Sequence, residues 1–109
     1  LDALKKSIDF KKVYQGRKFY TKAFVVHYIK TNSATQPVFG FTVSKKAVSK
    51  KAVDRNLVRR RMRSCVREHL DPNVFLGYAF VLTAIKSTQQ ATWRDYVNSA
   101  RMLQKKINL

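Results

Sequence analysis

Between residues 45 and 67 the chain carries ten basic residues against one acid, Asp54. They are Lys45, Lys46, Lys50, Lys51, Arg55, Arg59, Arg60, Arg61, Arg63 and Arg67. Alone, such a run would be a solvated polycation. Val58, Met62, Cys65, Val66 and His69, however, recur at helical spacing and share one face, while Asn56, Arg59, Arg60, Arg63 and Arg67 share the opposite one. The apolar stripe needs a second layer to cover it, so the segment predicts a helix packed on a sheet. Its expected limits are Ser49 or Asp54 at the start and about His69 at the end, with Asp71-Pro72-Asn73 as the stop.

The basic stripe constrains the partner as strongly as the apolar one constrains the fold. A solvated helix face usually alternates signs, whereas Arg55/Arg59, Arg59/Arg63 and Arg63/Arg67 set like charges four apart. A polyanion on this face removes that repulsion. Arginine prevails over lysine here, which favours bidentate contacts to phosphate or base edges. A membrane-surface helix would want large apolar residues opposite the charges, and this one has a modest Val/Met/Cys face fit for a core.

Composition narrows the class further. The chain has 109 residues, 23 of them Lys or Arg and 6 Asp or Glu, for a formal charge of +17. That length predicts one domain over residues 1–109, and 45% hydrophobic content with 13 aromatic residues is enough for a core. One cysteine, Cys65, excludes an internal disulfide, and with His27 and His69 it matches no familiar metal spacing. Cys65 is expected to be a buried, unreactive thiol. The longest apolar stretch, Tyr78 to Ile85, is too short to cross a bilayer. No apolar run follows the basic start, so no secretory signal is expected, and a few residues are expected to precede Leu1. The expectation is a soluble, cytoplasmic protein without an obligate protein partner.

Around the basic helix the pattern predicts an α+β sandwich, one small mixed sheet with helices packed on it, in the order α-β-β(-β)-α-β-α. Residues 7–15 read as a short helix, with Ser7 as N-cap and Gly16 as the stop. Phe10, Val13 and Tyr14 share one face of it. Phe19–Ile29 reads as a strand, with Phe24, Val26 and Tyr28 on one side and Val25, His27 and Ile29 on the other. A turn over 31–37 leads to a strand at Val38–Ser44, and Tyr78–Ile85 reads as a buried strand. A last helix is predicted from about Gln90 to Ile107, with Trp93, Val97, Ala100, Leu103 and Ile107 as its stripe and Trp93 as a core anchor.

Ser44-Lys45-Lys46, followed by the run from Ala52-Val53-Asp54-Arg55-Asn56 through Leu57-Val58-Arg59-Arg60-Arg61-Met62-Arg63, resembles the signature of the bacterial ribonuclease P protein family. Upstream, Asp9-Phe10-Lys11-Lys12-Val13-Tyr14, Gly16-Arg17, Phe24-Val25-Val26 and Gly40-Phe41-Thr42-Val43 resemble that family's first helix and central strands. The chain departs from the pattern at Leu57, where the family commonly has arginine, and at His27, where an aromatic is often found. Segment 47–51 is also slightly longer than usual and lacks a glycine.

The resemblance implies a division of labour. An RNA subunit holds Mg²⁺ and cleaves the 5′ leader from precursor tRNA, and the protein supplies no catalytic residue and binds no cofactor of its own. Lys45, Lys46, Lys50, Lys51, Arg55, Asn56, Arg59, Arg60, Arg63 and Arg67 would dock on that RNA. Phe10, Lys11, Lys12, Tyr14, Arg17, Lys18, Val25 and His27 would form a cleft for the single-stranded leader. The family also implies a left-handed β-α-β crossover through the signature helix, against the usual hand.

On pattern alone Phe10 and Tyr14 read first as core of a short amphipathic helix, and the family resemblance makes at least one of them a platform on which bases stack. His27 could line the cleft, but a lone histidine on a strand reads first as a structural residue. The six acids, at positions 2, 9, 54, 68, 71 and 95, are too scattered for a metal-dependent nuclease centre. Two other functions fit the charge: a structural ribosomal or assembly protein, which leaves the aromatic-basic first helix without a purpose, and a DNA-binding regulator. The latter needs a helix and tight turn before the basic helix, where Val38–Ser44 predicts a strand.

Overall fold

The computed structural model describes residues 2–3, 7–30, 38–70 and 77–107. The elements run β1 (Asp2–Ala3), α1 (Ser7–Tyr14), β2 (Arg17–Tyr20), β3 (Val25–Lys30), β4 (Val38–Thr42), α2 (Ala52–His69), β5 (Tyr78–Thr83), a 3₁₀ turn (Lys86–Gln90) and α3 (Trp93–Ile107). The five strands form one mixed sheet in the order β1-β4-β5-β3-β2. β4 and β5 are parallel neighbours joined through α2, so the crossover to which the implied left hand applies is in place. The predicted turn at 31–37, the Asp71-Pro72-Asn73 stop and the capping side chain of Ser7 lie outside the described residues.

Strand alternation divides the core in two. Phe24, Val26, Phe39, Phe80 and Leu82 point to the side where α2 contributes Val58, Met62, Cys65 and Val66, and α3 contributes Tyr96, Ala100 and Leu103. The opposite face carries a much smaller cluster of Val13 from α1 with Ala79 and Val81, flanked by Phe10 and Ile29. The expected stripe of α2 is therefore the buried one, except that His69 is only half-buried at its end.

Three local expectations need correction. The stretch Phe19–Ile29 is not one strand but the hairpin β2–β3. Its turn contains neither glycine nor proline. Thr21 closes it instead, its hydroxyl donating to the Phe24 carbonyl at 2.5 Å and accepting from the Phe24 amide at 3.1 Å. Buried Thr88 donates to the Ala23 carbonyl (2.6 Å) and buried Ser99 accepts from the Ala23 amide (3.2 Å), so distant residues hold the turn.

The last helix begins at Trp93 rather than Gln90 because Thr92 and Asp95 cap it reciprocally. The Thr92 hydroxyl accepts from the Asp95 amide, and the Asp95 carboxylate accepts from the Thr92 amide. That amide is the first cause holding the Asp95 carboxyl below its ordinary range. Placed in this first turn, Trp93 is 43% exposed and is not the core anchor; Tyr96 is, with its ring fully buried. Finally, Gly16 does more than stop α1. A Cβ there would overlap the Ile29 side chain and the Tyr28 carbonyl, so only glycine lets the chain pass this close to β3.

Candidate nucleic-acid interface

Two surfaces gather the residues singled out in the sequence. The first is α2 with the segment before it. Ser44 nucleates the entry turn, its hydroxyl accepting from the Ala47 amide (3.0 Å) and its carbonyl from the Val48 amide (3.2 Å). Val48 anchors the turn in the core while Lys45, Lys46, Lys50 and Lys51 stay at the surface. No non-glycine residue takes positive φ among the described residues, so this longer segment folds without the glycine it lacks. Lys51 is the N-cap of α2 and offers no side-chain hydrogen bond, leaving the helix N-terminus, with its positive dipole end, among four lysines.

Along the helix, several arginines are oriented by the protein itself. Arg55 donates to the Ser49 carbonyl at 2.9 Å. Arg59 donates to the Asn56 side-chain oxygen (3.1 Å) and to the Val43 carbonyl (3.4 Å). Arg63 lies over the Phe41 ring at 5.6 Å. Asn56, Arg60, Arg63 and Arg67 are exposed, while Arg55 and Arg59 are half-buried. Among the described residues none of these arginines forms an ion pair, and the salt bridges present are Lys22–Asp95 and the long His69–Glu68 contact. Guanidinium groups fixed in place but not neutralised keep their full field for an outside anion. Arg61 turns the other way, toward α3, where its charge opposes the upward pull of burial on the Tyr96 phenol. Cys65 is buried, its thiol pushed up to about 12 by desolvation and donating to the Met62 carbonyl, so it carries no reactivity.

The second surface is the groove between α1 and the open face of the sheet. The Tyr14 ring meets His27 edge-on, with centroids 4.8 Å apart and planes at 87°. The Tyr14 hydroxyl lies 3.4 Å from that of Thr42, which donates onward to Thr83 at 2.9 Å. Tyr14 remains 42% exposed, whereas Phe10 packs against the Val13 cluster, so the two predicted aromatics part company. Burial first, and the Lys18 charge second, hold His27 below its ordinary value of 6.5, and its Nδ1 is buried without a hydrogen-bond partner. Val25 is buried on the same face. Lys11, Lys12 and Lys18 are exposed around the groove, and Lys18 reaches over Tyr20 at 5.6 Å.

Arg17 does not join them. It pairs in register with Tyr28 while Lys18 pairs with His27, so alternation sends Arg17 toward the α3 side. Thr42, Thr83 and Tyr20 were missed; only the sheet register brings the two threonines side by side. Among the described residues no three metal-ligating side chains come together, and no helix is long and apolar enough to cross a membrane.

The arrangement defines a small cationic α-β sandwich with an unneutralised arginine helix on one layer and an aromatic-basic groove on the other. Comparison with known proteins gives the family: residues 1–108 match the model of the ribonuclease P family. The chain is 36% identical to the ribonuclease P protein component of Clostridioides difficile, over 97% of this chain and 91% of that protein. It is 32% identical to that of Alkaliphilus oremlandii, over 100% and 93%. The fold superposes on the RNase P proteins of Staphylococcus aureus (TM-score 0.79, 24% identity, 97% and 94% covered) and Thermotoga maritima (TM-score 0.79, 21% identity, 97% of both). The chain belongs to the ribonuclease P protein component family, whose known role is in tRNA 5′ processing as part of an endoribonuclease holoenzyme with an RNA partner.

Proposed function

We propose that this chain is the accessory subunit of a ribonucleoprotein whose RNA performs the cleavage. The loop lysines 45, 46, 50 and 51 and the α2 face of Arg55, Asn56, Arg59, Arg60, Arg63 and Arg67 dock on the catalytic RNA. The groove of Tyr14, His27, Val25 and Lys18, with Lys11 and Lys12 beside it, takes the single-stranded 5′ leader of precursor tRNA. Phe10 supports that groove from beneath. The observation that carries the reading is a row of arginines paired with no carboxylate among the described residues, two of which, Arg55 and Arg59, are oriented by backbone carbonyls and an amide. Such a row matches a run of phosphates and is otherwise a source of self-repulsion.

The protein moves no proton in this scheme. Mg²⁺ belongs to the RNA subunit, and the protein relieves phosphate repulsion where Mg²⁺ is scarce. The test is single-turnover leader removal by a ribonuclease P RNA across a Mg²⁺ series, with and without the protein. Stimulation concentrated at low Mg²⁺ and lost with the α2 arginines is the expected result. An Asp54→Ala or Glu68→Ala variant that stays folded and RNA-bound but halts cleavage at high Mg²⁺ would overturn it.

A further inference from the structure

A cavity of about 490 Å³ opens at the end of the sheet remote from Thr42, between Gly16 and the start of β2, the end of β3, the start of β5 and the last turn of α3. Nothing in the proposed scheme uses it. Its walls include the half-buried rings of Tyr28 and Tyr78 and the side chain of Ile107, and its rim carries Arg17, Lys30 and Lys106. The volume falls within the roughly 300–1,000 Å³ of ordinary small-ligand sites. Tyr28 and Tyr78 sit 6.4 Å apart with planes at 52°, too tilted to stack flat on each other. Each is half-buried, so part of each is presented to the cavity. Lys106 is exposed at the rim, its Nζ 5.6 Å over the Phe19 ring. Among the described residues no carboxylate lines the site.

We infer that this cavity is a second nucleotide-binding site, taking a base against its tyrosine wall and a phosphate between Arg17, Lys30 and Lys106. The chemistry is specific in kind. Three cations, with no acid among the described lining residues, select an anion, but a bare anion has no use for two phenol rings and an isoleucine. A peptide acid has no ring for the tyrosines to meet. A nucleotide supplies both, since every base has a π-face and carries its phosphate a sugar's length away. Gly16 and Ile29, next to α1, also border the cavity, but its tyrosine wall lies on the other face of the sheet from the leader groove: Tyr28 faces the α2–α3 layer, and its neighbour His27 faces α1. Arg17, predicted for the leader groove, belongs to this site instead.

The ligand is either one residue of a single-stranded RNA or a free mononucleotide, and the test separates them. Titration calorimetry of the full chain uses AMP, a short oligoadenylate, inorganic phosphate and poly-glutamate as probes. The variants are Lys30→Glu with Lys106→Glu, Tyr78→Ala, Tyr78→Phe, and Lys86→Glu as a charge control away from the cavity. Circular dichroism confirms that each is folded. The double reversal should weaken the bound nucleotide by about tenfold or more, and Lys86→Glu far less. Tyr78→Phe, which keeps the ring, should retain binding if Tyr78→Ala folds and loses it. Should Tyr78→Ala fail to fold, the charge variants and the competitors still decide. Loss confined to AMP assigns a free nucleotide; loss confined to the oligomer, or shared by both, assigns RNA as a ligand. Phosphate or poly-glutamate competing as well as the nucleotide, or equal losses in Lys86→Glu and the double reversal, would overturn the proposal.

Discussion

On the α2–α3 side of the sheet, Phe24, Phe39, Phe80 and Leu82 are sealed beneath two helices of 18 and 15 residues. On the α1 side a helix of 8 residues covers only part of the same strands, and Val81 and Ala79 give way to the half-buried polar side chains of His27, Thr42 and Thr83. The alternation that fills one face thus empties the other into a groove. Folding free energy is concentrated where the layer is complete, and ligand access exists where it is not. The arginine face belongs to the first side: α2 can present a repulsive row outward because its inner face is firmly packed.

The largest test of this contrast is a pair of truncations one residue apart. Phe80→Ala removes a fully buried ring stacked 4.8 Å from Phe39 and should cost about 3–5 kcal/mol in urea unfolding. Val81→Ala, in the small cluster, should cost about 1–2 kcal/mol, since fewer methyl groups are lost. Equal costs would mean that the α1 layer is as strongly packed as the other.

A second pair divides the groove itself. Tyr14→Ala should weaken leader-bearing precursor tRNA by about 1–3 kcal/mol, with mature tRNA unaffected, because only the leader offers unpaired bases to stack. Phe10→Ala should lower the melting temperature and reach leader affinity only through a loosened α1. The reverse assignment would move the binding platform up the helix.

The smallest effect concerns pH. His27 has a folded-state value below 6.5, so the folded protein binds its proton less readily than the unfolded chain does. Its stability contribution is present above the unfolded value and is lost as pH falls through the folded one. Titration by NMR should find His27 below 6.5, and Lys18→Ala should raise it, by less than full exposure would, since burial is the larger cause. An upward displacement from 6.5 would show a carboxylate or an accepting groove at Nδ1.

What was legible in the sequence followed the same division. The stripe of Val58, Met62, Cys65 and Val66 located α2, because a helix with one packed face writes its period into the chain. The Phe24/Val26 and Val25/His27 alternation assigned the two sides of β3. The β2–β3 turn was hidden because Thr88 and Ser99, far along the chain, help hold it. Trp93 misled because its spacing fits the α3 stripe, while Thr92 and Asp95 start the helix at the one turn where that stripe has nothing to cover it. Thr42 and Thr83 became neighbours only through parallel pairing of β4 and β5, which no local pattern carries. Arg17 and Lys18, adjacent in sequence, were assigned together and lie on opposite faces.

The most direct test of the two-surface scheme is the salt dependence of affinity for the ribonuclease P RNA. Wild-type affinity should fall by roughly a thousandfold or more between about 50 and 200 mM salt if some 6–10 phosphates are neutralised. Arg60→Ala, an exposed residue of the α2 face, should reduce the slope by about one, while Tyr14→Ala should leave the slope unchanged. A flat salt dependence, or a slope that Tyr14→Ala alters and Arg60→Ala does not, would contradict docking through the arginine helix.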